Sequence, residues 1–294
     1  MKASKRTTRT LLILTAGIAM LILFFLSGPA FLSRVLSNAG MLALNPYSER
    51  VYPRDLTRAQ NLLTEALQWD PANAAAHRGM AYILWARGQQ EQAGIEWRKG
   101  GLVLRDFTRP GTRARRNKDF AQGLTWYKKA VVTFPEQSMS YVYAGIAQEE
   151  SKDWQGALDV YEKALEVNAF PDEWWSYRAH NGRGGMLEKL ERTTEAIEEY
   201  GWLVAHYPED YWANMNLGQL LWEANHDAAG AEALFLRCIQ INSTEKWAFS
   251  DLGGIYYETN RLAQAGEMYR KVLEIDPDDK SAQKRLNEIA KKSR

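Results

Sequence analysis

The chain has 294 residues, 46% apolar and 25% charged, which are ordinary globular values with room for one or two domains and a substantial core. A single cysteine excludes a disulfide framework and a cysteine-cluster metal site. The net charge of +1 is uneven: Lys2, Lys5, Arg6 and Arg9 carry +4, which leaves −3 for the rest, and a mildly acidic body lacks the basic footprint of a nucleic-acid binder.

Residues 1–9 form a basic tail. Residues 10–33 carry no charge and include the run LLILTAGIAMLILFFL, so this segment is long enough for a transmembrane helix or signal anchor, which needs about 20 residues. A cleaved signal peptide is the rival reading. Gly28-Pro29-Ala30 and Ser37-Asn38-Ala39 supply small-x-small sites for cleavage, but the apolar run exceeds the roughly 7–15 residues of a signal peptide, which favours an uncleaved anchor. Four basic residues precede the run, whereas Arg34 and Arg50 follow it. The positive-inside bias therefore predicts a single pass through a cell (inner) membrane, with a cytoplasmic N-terminus and an extracytoplasmic body. Residues 34–55, with Asn45-Pro46-Tyr47 and Pro53, read as a linker.

Beyond the linker the chain repeats. Ala59, Ala93, Gly123, Ala157, Ala196, Ala231 and Ala265 recur at spacings of 30 to 39 residues. Four residues after each stands a large side chain: Leu63, Trp97, Tyr127, Tyr161, Tyr200, Phe235 and Tyr269. Three further on, Ala66, Gly100, Ala130, Ala164, Leu203, Cys238 and Val272 complete one helical face. Pro71, Pro135, Pro208 and Pro277 then stop the helix.

This pattern resembles the tetratricopeptide repeat (TPR), with the Leu-Gly pair of the first helix at Leu217-Gly218 and Leu252-Gly253. The resemblance implies an all-α, right-handed superhelix (an α-solenoid) of six to seven repeats over residues 56–280, and residues 281–294 read as a capping helix. Three departures stand out. No proper first helix precedes Ala59, so the array is expected to open on half a repeat. Residues 104–137 read as a degenerate repeat in which Arg109-Pro110-Gly111 breaks the first helix into an irregular basic loop. Five extra residues around Pro171-Asp172-Glu173-Trp174-Trp175 predict a longer first helix or entry loop.

No phosphate-binding glycine loop, metal-ligand spacing or nucleophile elbow is present, and His77, His180, His206 and His226 fall in different repeats. Carboxylates such as Glu195, Glu198 and Glu199 read as solvated second-helix surface. The expectation is a protein that is not an enzyme, with no cofactor and no metal. Arg109, Arg113, Arg115, Arg116 and Lys118 form one dense basic cluster, either a solvated loop or a contact for an acidic partner or lipid headgroups.

The family implies that first helices line a concave groove. By register, that groove holds Trp212, Met215, Gln219 and Trp222, then Trp247, Ser250, Gly254 and Tyr257, with Arg178, Asn181 and Glu188 upstream and Arg78, Tyr82 and Trp85 before them. Trp and Arg are common binding anchors. The expected function is a membrane-anchored scaffold that binds a protein or peptide partner and supports assembly of a membrane or envelope complex. The alternative is a glycan-binding module in envelope polysaccharide synthesis or export, with indole faces stacked on sugar rings.

Overall fold

The computed structural model describes residues 28–42 and 53–292. The described residues are helical and contain no strand. The helices pair as α1 (residues 28–42) with α2 (Pro53–Trp69), α3 (Ala74–Ala86) with α4 (Gln90–Lys99), and α5 (Arg105–Arg116) with α6 (Phe120–Thr133). These make a first compact unit, up to Pro135. The second unit begins at Glu136 and pairs α7 (Ser138–Glu150) with α8 (Trp154–Val167), α9 (Glu173–Lys189) with α10 (Thr193–His206), α11 (Tyr211–Asn225) with α12 (Ala228–Ile241), and α13 (Lys246–Glu258) with α14 (Leu262–Ile275). A final helix, α15 (Lys280–Lys292), lays Ala282, Leu286 and Ile289 on the core of the last two pairs. As the added residues before it predict, α9 runs 17 residues where α7 runs 13.

In six of the seven pairs the large side chain of the second helix rests on a glycine of the first. A Cβ on Gly40 would lie 2.7 Å from Leu63, one on Gly111 2.5 Å from Tyr127, one on Gly145 2.7 Å from Tyr161, and one on Gly218 2.8 Å from Phe235. Real Cβ atoms do not approach so closely, so any larger residue would push the helices apart. Gly184 under Tyr200 and Gly253 under Tyr269 are nearly as tight, at 3.1 and 3.2 Å. In the second pair Ala81 takes this register and is fully buried. The repeated alanines Ala59, Ala93, Ala157, Ala196, Ala231 and Ala265 are likewise fully buried.

The turn inside six of the pairs is also one device. Five residues before each repeated small residue, Gly88, Lys118, Lys152, Glu191, His226 and Asn260 take positive φ. The following N–H reaches back to the first helix, as in Gln89 to Leu84 O at 2.9 Å and Arg261 to Tyr256 O at 2.7 Å. This left-handed stop lets the chain reverse in a few residues, and only Gly88, His226 and Asn260 belong to types that enter it readily. Asp119, Asp153 and Asp227 then cap the second helix through their side chains.

The structure corrects the expectation at the start of the array. Residues 34–42, read as linker, belong to α1, and α1 is the missing first helix of the opening repeat. Ser33 Oγ donates to Ala66 O at 2.7 Å, Asn73 Nδ2 donates to Ser33 Oγ at 2.7 Å, and Leu36 and Met41 pack on the cluster of Ala59, Leu63 and Ile83. The signal was hidden because the link between α1 and α2 is long: Gly40 stands 19 residues before Ala59, against 12 for Gly253 and Ala265. The basic tail at 1–9, and the uncharged run up to residue 27, lie outside the described residues. Residues 28–33 of the expected span fall within α1. Among the described residues no helix is long and apolar enough to cross a membrane.

The second correction is α5, a continuous helix through Pro110 where a broken loop was expected. Pro110 removes one backbone hydrogen bond, but Phe107, Thr108, Gly111 and Ala114 are buried and Thr112 Oγ1 meets Tyr127 Oη at 3.1 Å. Packing of the buried face outweighs the local defect. The four residues missing here have another effect: α4 packs directly on α6. A Cβ on Gly94 would collide with the carbonyl of Val132, and Arg98 Nε donates to Thr133 O at 3.0 Å.

Candidate functional site

In the second unit, α11 and α13 present a matched pair of indoles. Trp212 and Trp247 stand 35 residues apart in sequence, each six positions before its seat glycine, and they are 53% and 50% exposed. Each is steadied from one side. Trp212 sits edge-on to Tyr211 at 5.2 Å, and Tyr211 Oη accepts from the N–H of Ala248 on α13 at 3.4 Å. Lys246 Nζ lies 5.3 Å from the Trp247 ring and is itself held by Asp276 and Asp279 at 2.6 and 2.7 Å. Broad apolar faces are thus open to solvent but fixed in direction.

Further along the same two helices a cleft of about 250 Å³ lies between α11, α13 and α15. Gln219, Trp222, Ser250, Asp251, Gly254 and Arg285 are among its walls. Gln219 Nε2 donates to Asp251 Oδ2 at 2.7 Å. Burial pushes the Asp251 carboxyl above its ordinary range; the Gln219 hydrogen bond opposes this and the charge of Glu223 adds to it. Trp222 and Tyr257 are half-buried and pack on the core. Tyr257 also lies under Arg285 and Lys292, at 4.9 and 4.0 Å. The cleft therefore joins an aromatic wall to a carboxylate and a guanidinium, a combination suited to a peptide's backbone and side chains.

Other expected groove residues sit differently. Met215 is buried, packed in the core with Ala248, Phe249 and Leu252, because α13 closes over that face of α11. Arg178 is committed to Glu149 at 2.7 Å and crosses the Tyr161 ring at 5.5 Å, so it clasps neighbouring repeats. Asn181 is half-buried. Trp174, which sequence reasoning did not single out, is exposed at the start of α9, edge-on to Trp175 at 4.8 Å.

In the first unit, Arg78 donates to Gly100 O at 2.9 Å. Tyr82 and Trp85 lie 5.8 and 5.6 Å from the buried Trp97 ring instead of lining an open groove. They form a nest around Lys129, whose Nζ lies 4.5 Å from Trp126 and 5.5 to 5.7 Å from Trp85, Tyr82 and Trp97. Burial pulls the Lys129 amine down to about 8.

Of the basic cluster, Arg109, Arg113 and Arg116 share the exposed face of α5, opposite Phe107 and Ala114. Arg115 is half-buried against Gly123, and Lys118 occupies the positive-φ turn. Glu199, expected on a solvated surface, is buried. His180 Nδ1 and Arg183 Nη2 meet its two oxygens, at 2.5 and 2.9 Å. His77 and Glu96 pair in the same register in the second repeat, at 2.6 Å. Both pairs stand 19 residues apart, a spacing the sequence carried openly. Among the described residues no three His, Cys, Asp or Glu side chains gather as a metal ion would require.

Two family models, each described as Tetratricopeptide repeat, match residues 53–94 and 223–288, and residues 110–173 and 187–245. A curated relative, the TPR repeat-containing protein MJ1428 of Methanocaldococcus jannaschii, is 25% identical over 131 residues, which are 44% of this chain and 22% of that protein. The human Protein O-mannosyl-transferase TMTC3 is 26% identical over 175 residues, 55% of this chain and 19% of that one. The chain thus spans about a fifth of the length of these relatives. The solved structure of MamA 41-end from Desulfovibrio magneticus RS-1 superposes with a TM-score of 0.54 at 20% identity, covering 60% of this chain and 97% of that one, a likeness of fold alone.

The Lys129 nest makes a pH prediction. The folded amine titrates near 8, below the ordinary lysine value of 10.5, so the folded state binds fewer protons between those limits and stability rises with pH there. Below about 8 the burial penalty is fully present. Lys129→Met should therefore melt above the native protein at pH 7, and the gap should narrow toward pH 9.5. Parallel melting profiles across that range would contradict the assignment.

Proposed function

Because the chain belongs to the tetratricopeptide repeat family, whose members bind protein or peptide partners, we propose that it is a membrane-anchored scaffold. It holds a partner segment along α11 and α13 and supports assembly of a membrane or envelope complex. The carrying observation is the pair of half-exposed indoles at one register, on the two helices that also line the cleft holding Asp251. A repeat array offers a partner the same position again at each step, so residues that recur there in register are the ones a bound segment meets. With Asp251 and Glu223 beside Arg285, the wall carries both signs of charge and favours a segment that offers polar groups there. Anchorage rests on the uncharged run at residues 10–33 and on the basic residues before it, which orient the repeats outside the cytoplasm. In this role the protein is not an enzyme and acts by bringing partners together.

The test uses the full chain extracted in mild detergent, with captured partners identified by mass spectrometry. Trp212→Ala combined with Trp247→Ala should weaken capture by at least about 2 kcal/mol, the mark of a binding hot spot, with little change in melting temperature. A stability loss of about 3–5 kcal/mol, typical of truncating a core tryptophan, would remove the proposal's main support. Capture of a glycan in place of a protein would favour the stacking alternative. For orientation, protease added to sealed inside-out vesicles should leave the repeats intact; digestion would place them in the cytoplasm.

A further inference from the structure

We propose that the end of the first repeat where α1 begins rests at the membrane–water boundary, with Phe31 and Trp69 in the headgroup layer. This rests on the anchor reading and adds a fixed attachment in place of a tether.

Three observations carry it. The first is where the repeat takes hold of the chain. Ser33 and Ser37 are fully buried, and Ser33 is bonded to Ala66 O and to Asn73, the N-cap of α3. Residue 33 is therefore part of the array and cannot lie among lipid tails. The 21 uncharged residues at 10–30 that precede it in sequence are enough for a bilayer core, which needs about 20. Residues 28–33 are already helical, so the described chain enters the array as part of α1.

The second observation is what that end displays. α1 and α2 run antiparallel, with Ser33 against Ala66 and Gly40 against Leu63 and Ala59. The start of α1 and the end of α2 are therefore neighbours. Phe31 is 58% exposed and Trp69, one turn beyond Ala66, is 41% exposed. Aromatic side chains are the residues enriched at membrane interfaces, where an apolar ring and a polar edge are both accommodated. Arg34, exposed on the next turn, suits the anionic headgroup level.

The third is the contrast with the other end of the same helix. Leu42 is 82% exposed, but it stands 11 residues from Phe31, about 16 Å further along the axis. If α1 rises from the membrane, Leu42 is beyond the headgroups; if α1 lay flat, Phe31 and Leu42 would be at equal depth.

The full chain carrying Cys238→Ala, a small residue at a position where Ala66, Ala130 and Ala164 stand in other repeats, takes single cysteines at Phe31, Trp69 or Leu42. Each is labelled with a fluorophore and reconstituted into phosphatidylcholine–phosphatidylglycerol vesicles containing lipids with a quencher near the headgroup. Flotation is measured first. The expected result is that the chain floats and that labels at 31 and 69 are quenched several-fold more than the label at 42. Floating chains in which 31 and 69 are quenched no more than 42 overturn the boundary contact and leave the anchor standing. Chains that fail to float overturn both. Because all three sites are exposed, melting temperatures within a few degrees of the parent confirm that the labels report on the folded array.

Discussion

The structure depends on one contact repeated along the chain: a large side chain on the second helix of a pair seated on a glycine or alanine of the first. Gly145 under Tyr161 and Gly218 under Phe235 show its closeness, since even one added methyl would overlap the ring. The contact fixes the distance between the paired helices and buries the aromatic almost completely. Tyr161 is seated twice, because Gly182 of the next first helix meets its other side. That seat therefore closes its own pair and also receives the next one, as Leu63 does between Gly40 and Gly79, which is how nearest-neighbour packing propagates along repeats.

The same contact explains what was legible in the sequence. A period of about 34 residues, with small and large residues at fixed offsets, is a direct trace of the seat, so the all-helical repeat fold could be read without a structure. α1 was missed because its link to α2 is longer than a repeat turn, which placed Gly40 out of step with Ala59. α5 was misread because Pro110 is a strong local signal against a helix, while the seat at Gly111 and the buried face around Phe107 are tertiary signals that outweigh it. The left-handed turn residues were invisible for a related reason. Lys118, Lys152 and Glu191 have no local preference for positive φ and are held there by the helices on either side.

Functional positions were harder to read than structural ones. Register along a first helix states which residues share a face but not how far the neighbouring helix covers it. Trp212 and Met215 are three residues apart, yet α13 buries the methionine and leaves half of the indole exposed. Tyr82 and Trp85 were drawn into a nest around Lys129 because, with four residues missing from the third repeat, α4 meets α6 directly and brings that lysine onto their rings. The polar pairs His77–Glu96 and His180–Glu199 recur at one register, inside pairs whose neighbours use apolar contacts there. What remains open on α11 and α13 is the surface that neither seat nor neighbour requires, and it is there that the proposed partner is placed.

The seat is tested most directly by a double-mutant cycle on Gly218 and Phe235, measured by denaturant unfolding. In an exposed helix, glycine to alanine stabilises by up to about 1 kcal/mol. The seat predicts the opposite sign: Gly218→Ala should cost about 1–3 kcal/mol, as overpacking does. In a Phe235→Leu background, where the ring no longer occupies the space, that cost should fall by at least about 0.5 kcal/mol, the lower range for residues in contact. A stabilising Gly218→Ala, or strictly additive effects of the two changes, would contradict the account.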